Sequence, residues 1–303
     1  SVLPLHHAFE FACGLLLPLS RGSRIIYLDT IDGDRLSYGL KHGRVTCMVG
    51  VPALWQLLDR RIRSQVSAKG KLFELAFDQG LDLNRKIGTA TGLDLGRMMF
   101  GSVHSRLGGN IRLLISGGAA LPSDTQKLFG GLGLHLSEGY GLTEASPVLT
   151  VSQAGPGKKT GHVGTPLPGI EIKIDSPDDA GVGEVWARGP NVMQGYFAND
   201  TATKATVDAE GWLHTGDMGR IDHKGRLFLV GRAKEVVVTA AGENIYLDDV
   251  ENLLGVITGV EEYVLVGLDD PRGGERLGLL ARPETGVVHG LARTSIQEAT
   301  AKL

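Results

Sequence analysis

The first half of the chain alternates short apolar runs with stretches whose apolar residues recur every three to four positions. Residues 24–28 and 45–50 are mostly apolar runs, which predict buried strands. Residues 52–63 begin with a proline and carry several leucines on one face, a pattern that predicts an amphipathic helix. Alternation of strand and helix favours an α/β fold with a parallel sheet.

The same alternation continues beyond this helix. Residues 64–105 are more polar and predict further helices, and residues 110–116 predict another strand. Glycines 117 and 118 follow that strand at once and lead into a predicted helix that ends near Leu128. Because parallel sheets bind ligands at the carboxyl ends of their strands, this glycine turn is a candidate ligand-binding loop.

After Thr150 short apolar segments separated by turn residues predict a β-rich subdomain. The predicted strands are residues 161–164, 171–174, 183–188 and 226–230. Beyond Gly231 the pattern predicts a compact α+β segment, with a helix over 247–256 and a strand over 263–267.

These patterns predict two domains with a boundary near residues 232–234. Residues 1–232 form the C-terminal part of a large domain, of which about 151–232 are the β-rich subdomain. Residues 233–303 form an incomplete small domain. A chain of 303 residues is long enough for both.

The composition is that of a soluble globular protein, with 42% hydrophobic and 21% charged residues. A net charge of −3 gives the whole chain no attraction to nucleic acid or to an anionic membrane. Cys13 and Cys47 lack metal-ligand spacing, so we predict reduced core residues of a cytosolic protein. The sequence has no signal peptide and no apolar run of about 18 residues.

Residues 137–144 (Ser-Glu-Gly-Tyr-Gly-Leu-Thr-Glu) are the most informative stretch, since they predict a turn that two glycines let approach a ligand closely. Tyr140 offers a flat face for a base. Thr143 can hydrogen-bond a phosphate or carboxylate oxygen, and Glu144 can hold a hard cation such as Mg²⁺. These groups suit the activation of a carboxylic acid with ATP. The alternative is an ordinary turn before a strand.

Three further segments carry candidate chemistry, each with a structural alternative. The glycine pair after residue 116 exposes backbone groups to an adenine edge, or is a packing turn. Asp217, in a glycine-preceded turn, can accept two hydrogen bonds from a ribose diol, or is a turn aspartate. Arg232 offers a fork of donors to ribose or phosphate oxygens, and Lys234 lies at the predicted boundary; the alternative is a surface cation pair.

Taken together, these segments resemble the adenylate-forming superfamily of acyl-CoA synthetases, luciferases and peptide-synthetase adenylation domains. The likeness rests on YGLTE at 140–144, GWLHTGD at 211–217 and GRAKE at 231–235, and it runs from Leu3 to about Gly267. It implies an α/β adenylate-forming fold, in which parallel-type sheets with helices and a β-rich subdomain form the large domain and a small α+β domain follows.

Within the superfamily the long-chain fatty acyl-CoA synthetases are the most similar branch. Residues 3–7 (Leu-Pro-Leu-His-His) resemble the motif whose histidine lies beside the acyl pocket, which assigns His7 there, although a plain core histidine is the alternative. The helical segment 61–109 resembles an insertion typical of long-chain members, and residues 238–245 also resemble that branch.

The resemblance implies a role for each matched residue. Tyr140 stacks on the adenine, Thr143 contacts the α-phosphate or acyl oxygen, and Glu144 holds Mg²⁺. Asp217 and Arg232 bind the ribose. Lys234 is the hinge of the small domain, and the resemblance implies a catalytic role for it together with Thr143 and Glu144. The remaining nucleotide- or CoA-binding positions are Gly117, Gly118, Ala119, Glu138, Gly139, Gly141 and Gly242, the last beside the pantetheine channel with Ala240 and Ala241.

The implied reaction uses ATP, Mg²⁺ and CoA. A fatty carboxylate attacks the α-phosphate to give acyl-AMP and pyrophosphate, and the CoA thiol then attacks the acyl carbon and expels AMP. Two alternatives remain: an acyl-AMP ligase that loads a carrier protein, and a nucleotide-binding module without turnover. The implied location is the cytoplasm, with transient contact at the inner face of the membrane left open. Acyl chain length and oligomeric state are not readable from the sequence.

Both ends of the chain lie inside apolar or helical patterns, which predicts a fragment. The resemblance implies a triphosphate-binding loop before Ser1 and a catalytic lysine after Leu303, because Lys302 lacks the required Gly-Lys context. We therefore expect this polypeptide alone to adenylate fatty acids poorly or not at all. Robust fatty-acid-dependent pyrophosphate exchange by it would contradict that expectation.

Overall fold

The structure is a computed structural model that describes residues 1–28, 30, 33–233, 236–238, 244–254, 257, 259–271, 274–284 and 289–300. The chain divides into two compact units. Unit 1 comprises Ser1–Ile172, Ala187–Leu213 and Asp222–Leu227. Unit 2 comprises Lys173–Trp186, His214–Ile221 and Phe228–Leu303.

Helices and a mixed sheet make up most of unit 1. A π-helix at Glu10–Leu16 leads into α1 (Leu17–Ser20), followed by α2 (Gly33–His42), β1 (Cys47–Gly50), α3 (Pro52–Ser67), α4 (Lys71–Thr91), α5 (Gly96–Met99) and α6 (Gly101–Arg106). Next come β2 (Leu113–Ser116), α7 (Ser123–Gly131), β3 (Leu136–Tyr140), a 3₁₀ turn at Thr143–Ala145, β4 (Thr150–Val151) and β5 (Thr165–Pro166).

The sheet of unit 1 has the order β1-β2-β3-β4-β5. β1, β2 and β3 are parallel, whereas β4 and β5 continue the sheet antiparallel. Gly50 is in register with Ser116, and Ser116 is in register with Glu138. The carboxyl ends of the three parallel strands therefore meet at one edge, as the sequence predicts for a ligand-binding α/β sheet.

Side chains from α3 and α7 form the centre of the core of unit 1. Trp55 and Phe129 are 0% exposed, and their rings meet edge to face with centroids 6.0 Å apart. Leu114 of β2 and Leu128 of α7 are each 1% exposed and belong to the same cluster. This packing holds the helices against the sheet and so fixes the loops at its carboxyl edge.

The remaining elements begin with four strands and one helix: β6 (Glu171–Asp175), β7 (Gly183–Arg188), α8 (Asp200–Thr206), β8 (Leu213–Ile221) and β9 (Leu227–Arg232). These strands form a sheet in the order β6-β7-β8-β9. They are followed by β10 (Val236–Val238), β11 (Asn244–Tyr246), α9 (Leu247–Leu254), β12 (Val260–Asp269), β13 (Glu275–Pro283) and α10 (His289–Thr300). In unit 2, Val250 and Leu254 of α9 pack with Leu265 of β12.

Three local predictions are wrong. Residues 24–28 form no strand, because this segment hydrogen-bonds to Ser1 through the carbonyl of Ile26 and the N–H of Leu28. Residues 161–164 form no strand either, since Gly161 and Gly164 both have positive φ angles. Asp217, for which the sequence predicts a turn, lies in β8.

The cysteines are free, as predicted, but neither is a core residue. Cys13 is half-buried and Cys47 is exposed at the start of β1. Among the described residues, no helix combines the length and the apolar composition that a bilayer-spanning segment needs.

Candidate functional site

The loop after β2 lies at the carboxyl edge of the parallel sheet, where Gly117 donates its N–H to the carbonyl of Gly50 (3.1 Å). A Cβ at Gly117 would lie 2.8 Å from the ring of Phe9, so this glycine is required for packing. Gly118 has a φ of +88°, and a Cβ there would meet nothing closer than 3.8 Å. Gly118 thus provides the open backbone surface that the predicted adenine contact needs, and Ala119 follows it.

Glu138 of β3 is buried and ties this loop to α7. Its Oε1 accepts a hydrogen bond from the N–H of Leu121 (3.1 Å), and its Oε2 accepts one from Nε2 of Gln126 (2.5 Å). Burial raises the pKa of Glu138 to about 7, although both hydrogen bonds oppose the shift. The sequence predicts a nucleotide-binding role for this side chain, but in the structure it contacts the adjacent loop.

This pKa shift predicts a pH-dependent stability. The folded protein keeps a proton on Glu138 that the unfolded chain releases near pH 4.5. The free energy of unfolding should therefore fall as pH rises from about 4.5 to 7, by up to about 1 kcal/mol per pH unit, and then level off. Urea unfolding of wild type and Glu138→Gln from pH 5 to 8 measures this contribution as the difference between the two profiles. Parallel profiles would contradict it.

Tyr140 ends β3, and Gly141 follows it. Tyr140 is 8% exposed, so protein covers most of its ring and a base could reach only the remainder. A Cβ at Gly141 would lie 2.0 Å from the carbonyl oxygen of Pro147, whereas one at Gly139 would have no neighbour within 3.7 Å. Gly141 is therefore fixed by a close backbone approach, and Gly139 is not.

The Thr143–Ala145 turn carries two of the three predicted catalytic residues. Thr143 is exposed and Glu144 is half-buried. The carboxylate of Glu144 accepts a hydrogen bond from the hydroxyl of Tyr196 (2.8 Å), and its main-chain carbonyl accepts one from the N–H of Met193 (2.7 Å). The bond to Glu144 raises the pKa of the Tyr196 phenol.

A second contact holds the same turn. The side-chain amide of Asn191 donates to the carbonyls of Ala145 (2.7 Å) and Val148 (3.0 Å). Asn191 and Tyr196 are therefore functional candidates that the sequence did not identify. The motifs that carry the family resemblance include neither residue, and a single sequence does not show that these residues contact the Thr143–Ala145 turn.

The carboxylate of Glu144 suits a hard cation. Carboxylate and phosphate oxygens are the ligands that Mg²⁺ prefers, and proteins commonly supply only one or two carboxylates to it. Among the described residues no group of three or more His, Cys, Asp or Glu side chains could hold a metal. Glu144 thus fits a cation whose other ligands come from a phosphate-bearing substrate and water.

Unit 2 contains the predicted ribose-binding pair. Nε of Arg232 lies 3.3 Å from Oδ1 of Asp217. The Asp217 side chain is 15% exposed and that of Arg232 is 66% exposed. The structure therefore brings together two predicted site residues that are 15 positions apart in sequence, one in β8 and the other at the end of β9.

The assignments of His7, Lys234 and Gly242 stay predictions. His7 is exposed and its ring lies 4.4 Å from that of His6, so its assignment to an acyl pocket stays a prediction. Lys234 and Gly242 lie outside the described residues, as do Ala240 and Ala241.

An apolar cavity of about 820 Å³ lies between α2, α3, α4 and α6 in unit 1. It is lined by Leu36, Leu40, Leu58, Phe77 and Phe100, among others. None of the predicted site residues in the described part of the chain lines it.

Comparison with known proteins identifies the family. The model of the family described as AMP-binding enzyme matches residues 1–197. The chain belongs to this family. The resemblance inferred from the sequence is thereby confirmed, and relatives with the names of long-chain fatty acid–CoA ligases are among the matches.

Two relatives illustrate the range. A feruloyl-CoA synthase from Amycolatopsis sp is 31% identical over 278 residues, which cover 90% of this chain and 48% of the relative. A long-chain-fatty-acid–CoA ligase from Mycobacterium bovis is 34% identical over 275 residues, covering 88% of this chain and 44% of the relative. The chain thus spans less than half the length of either.

The predicted fold class is also confirmed. The o-succinylbenzoate CoA synthetase of Bacillus subtilis, solved in complex with an acyl-adenylate intermediate, superposes with a TM-score of 0.72 at 23% identity. The match covers 98% of this chain and 53% of that structure. At this identity the likeness establishes the adenylate-forming fold alone.

Proposed function

We propose that the protein to which this chain belongs activates a fatty acid with ATP and transfers the acyl group to CoA. The observation that carries the proposal is the edge of the unit 1 sheet, where an open glycine backbone at Gly118 follows β2 and a Thr143–Glu144 turn follows the neighbouring β3. The backbone at Gly118 supplies bare peptide groups for a base. The Thr143–Glu144 turn supplies a hydroxyl and a carboxylate for a phosphorus centre.

The proposed reaction has two steps. A carboxylate oxygen of the acid bonds to the α-phosphorus of ATP as the bond to pyrophosphate breaks. The thiol sulfur of CoA, having lost its proton, then bonds to the acyl carbon as the bond to AMP breaks. Phosphoryl transfer asks the protein mainly for positioning and charge neutralisation.

The residues of this chain supply that positioning. The hydroxyl of Thr143 donates to an α-phosphate or acyl oxygen, and Tyr140 contacts the adenine. Asp217 accepts hydrogen bonds from the ribose hydroxyls, and Arg232 donates to ribose or phosphate oxygens. When bound at Glu144, Mg²⁺ neutralises phosphate charge. We further propose residues 232–234 as the boundary of the small domain, with Lys234 as its hinge.

A long-chain fatty acid is our proposed substrate, and an aromatic acid is the second candidate. Relatives named long-chain fatty acid–CoA ligases support the first, and the relative named feruloyl-CoA synthase supports the second. A third candidate function is transfer of the acyl group to a carrier protein instead of CoA, and a fourth is nucleotide binding without turnover. We place the protein in the cytoplasm, where ATP and CoA are available.

The test is a substrate panel with the full-length protein. We expect AMP and pyrophosphate formation with long-chain fatty acids, little with ferulate, and acyl-CoA only when CoA is added. Glu144→Gln should lower turnover at least about tenfold, because it removes the charge that holds the cation. Preference for ferulate would favour the aromatic acid. Acyl-AMP formation without CoA turnover would favour a carrier protein, and AMP binding without product would favour a binding module.

A further inference from the structure

Side chains accept hydrogen bonds from the two consecutive backbone N–H groups of Gly216 and Asp217. Gly216 has a φ of +72° inside β8, and its N–H donates to Oε1 of Glu184 (2.9 Å). The N–H of Asp217 donates to the hydroxyl of Thr215 (3.1 Å), and that hydroxyl donates to the carbonyl of Val185 (2.7 Å). Glu184 and Thr215 therefore contribute to holding the backbone at Gly216 and Asp217.

Glu184 is itself held at both oxygens. Its Oε2 accepts a hydrogen bond from Nε1 of Trp186 (2.9 Å). The indole of Trp186 is stacked on the ring of His214 with centroids 3.9 Å apart and an interplanar angle of 11°. Nζ of Lys173 lies 4.3 Å from the centre of the same indole. These contacts therefore orient the Glu184 carboxylate that accepts the hydrogen bond from Gly216.

The hydrogen bond to Glu184 matters because residue 216 is a glycine. Gly populates positive and negative φ about equally, so residue 216 has no intrinsic preference for +72°. The hydrogen bond that the N–H of Gly216 donates to Glu184 favours that conformation. Without it, Gly216 can rotate and turn the carboxylate of Asp217 away from Arg232, which lies 3.3 Å from it.

We propose that Glu184 is a positioning residue for the ribose diol of the nucleotide, acting through Gly216 on Asp217. The inference rests on the proposed function, because it assumes that Asp217 accepts hydrogen bonds from the ribose. Its ligand class is an adenine nucleotide with intact 2′- and 3′-hydroxyls.

The test measures binding of AMP and of 2′,3′-dideoxy-AMP to the full-length protein by calorimetry. Wild type should bind AMP more tightly than the dideoxy analogue. Glu184→Ala should weaken AMP binding about tenfold and leave the affinity for the dideoxy analogue within about twofold, so that the preference for the diol collapses. The KM for ATP should rise with the Kd for AMP, whereas the KM for the acid should stay unchanged.

Two further variants separate positioning from general damage. Glu184→Gln keeps a carbonyl oxygen for Gly216 and should lose less diol preference than Glu184→Ala. Trp186→Phe removes the donor to Oε2 but leaves the contact with Gly216, and it should weaken AMP binding less than Glu184→Ala. Urea unfolding of each variant shows whether unfolding contributes to the loss.

The outcomes are distinct. Wild-type protein that binds AMP with a diol preference, together with a Glu184→Ala variant that keeps it, overturns the inference and leaves the proposed function standing. Equal loss of affinity for both nucleotides also overturns it, because a general disturbance would have that effect. Failure of wild type to bind AMP overturns the proposed function and this inference with it.

Discussion

Replacement of Asp217 with asparagine is expected to weaken AMP binding by the full-length protein by between about tenfold and a hundredfold. A carboxylate accepts stronger hydrogen bonds from a ribose diol than a neutral amide does, because one partner carries a full charge. The change also removes the charge that pairs with Arg232 at 3.3 Å. Calorimetric titration with AMP gives the affinity directly.

The matched control is Glu171→Gln. Glu171 is also a carboxylate paired with an arginine, since Nη2 of Arg188 lies 2.9 Å from its Oε2. Both members of that pair are exposed, and exposed pairs contribute little to stability. We expect wild-type AMP affinity in this variant. Equal affinities for Asp217→Asn and wild type would remove Asp217 from the ribose site.

Replacement of Gly141 with alanine should destabilise unit 1 by about 3 kcal/mol or more. The new Cβ would lie 2.0 Å from the carbonyl oxygen of Pro147, a backbone atom that cannot move away by a simple side-chain rotation. Overpacking of this kind forces backbone shifts, and here the shift falls beside the Thr143–Glu144 turn. Urea unfolding should show a lower midpoint, and substrate turnover should fall with it.

Gly139→Ala, in the adjoining strand β3, is the control. A Cβ at position 139 would have its closest neighbour at 3.7 Å, which is ordinary van der Waals contact. Its free energy of unfolding should stay within about 1 kcal/mol of wild type. The steric argument fails if the two variants unfold at the same urea concentration.

Periodicity was sufficient to predict the parallel core of the fold. The apolar run at 45–50 and the proline-led helix from Pro52 are local signals, and they match β1 and α3. The run at 24–28 carries the same apolar signal but hydrogen-bonds to Ser1 instead of a strand. The local sequence does not show which residues will hydrogen-bond to a backbone segment. The different structures of residues 24–28 and 45–50 were therefore not predictable.

Polar segments were the other source of error. Residues 213–217 contain histidine, threonine, glycine and aspartate, which favour a turn, yet they lie in β8. There the hydroxyl of Thr215 and the carboxylate of Glu184 satisfy backbone groups that a turn would otherwise have left to solvent. Tertiary contacts overrode local preference, as they commonly do in sheets.

The sequence motifs supplied the candidate site residues, which stay predictions, but not the contacts that hold those residues in place. The motifs identified Glu144 and Asp217, because each stands in a short, recognisable segment. The hydrogen bond from Tyr196 to Glu144 joins residues 52 positions apart, and a single sequence carries no sign of it. Burial likewise decides that Glu138 holds the loop after β2, since the motif alone is equally compatible with a ligand contact.

The stacked indole of Trp186 makes the surroundings of Asp217 accessible to tryptophan fluorescence. The protein has three tryptophans, of which Trp55 is completely buried in the core of unit 1. Trp186 instead shares a carboxylate with Gly216, one residue from Asp217. Its fluorescence should respond when a nucleotide binds at Asp217, and the difference from a Trp186→Phe protein isolates that signal. Nucleotide affinity can then be read without a label or an assay of turnover.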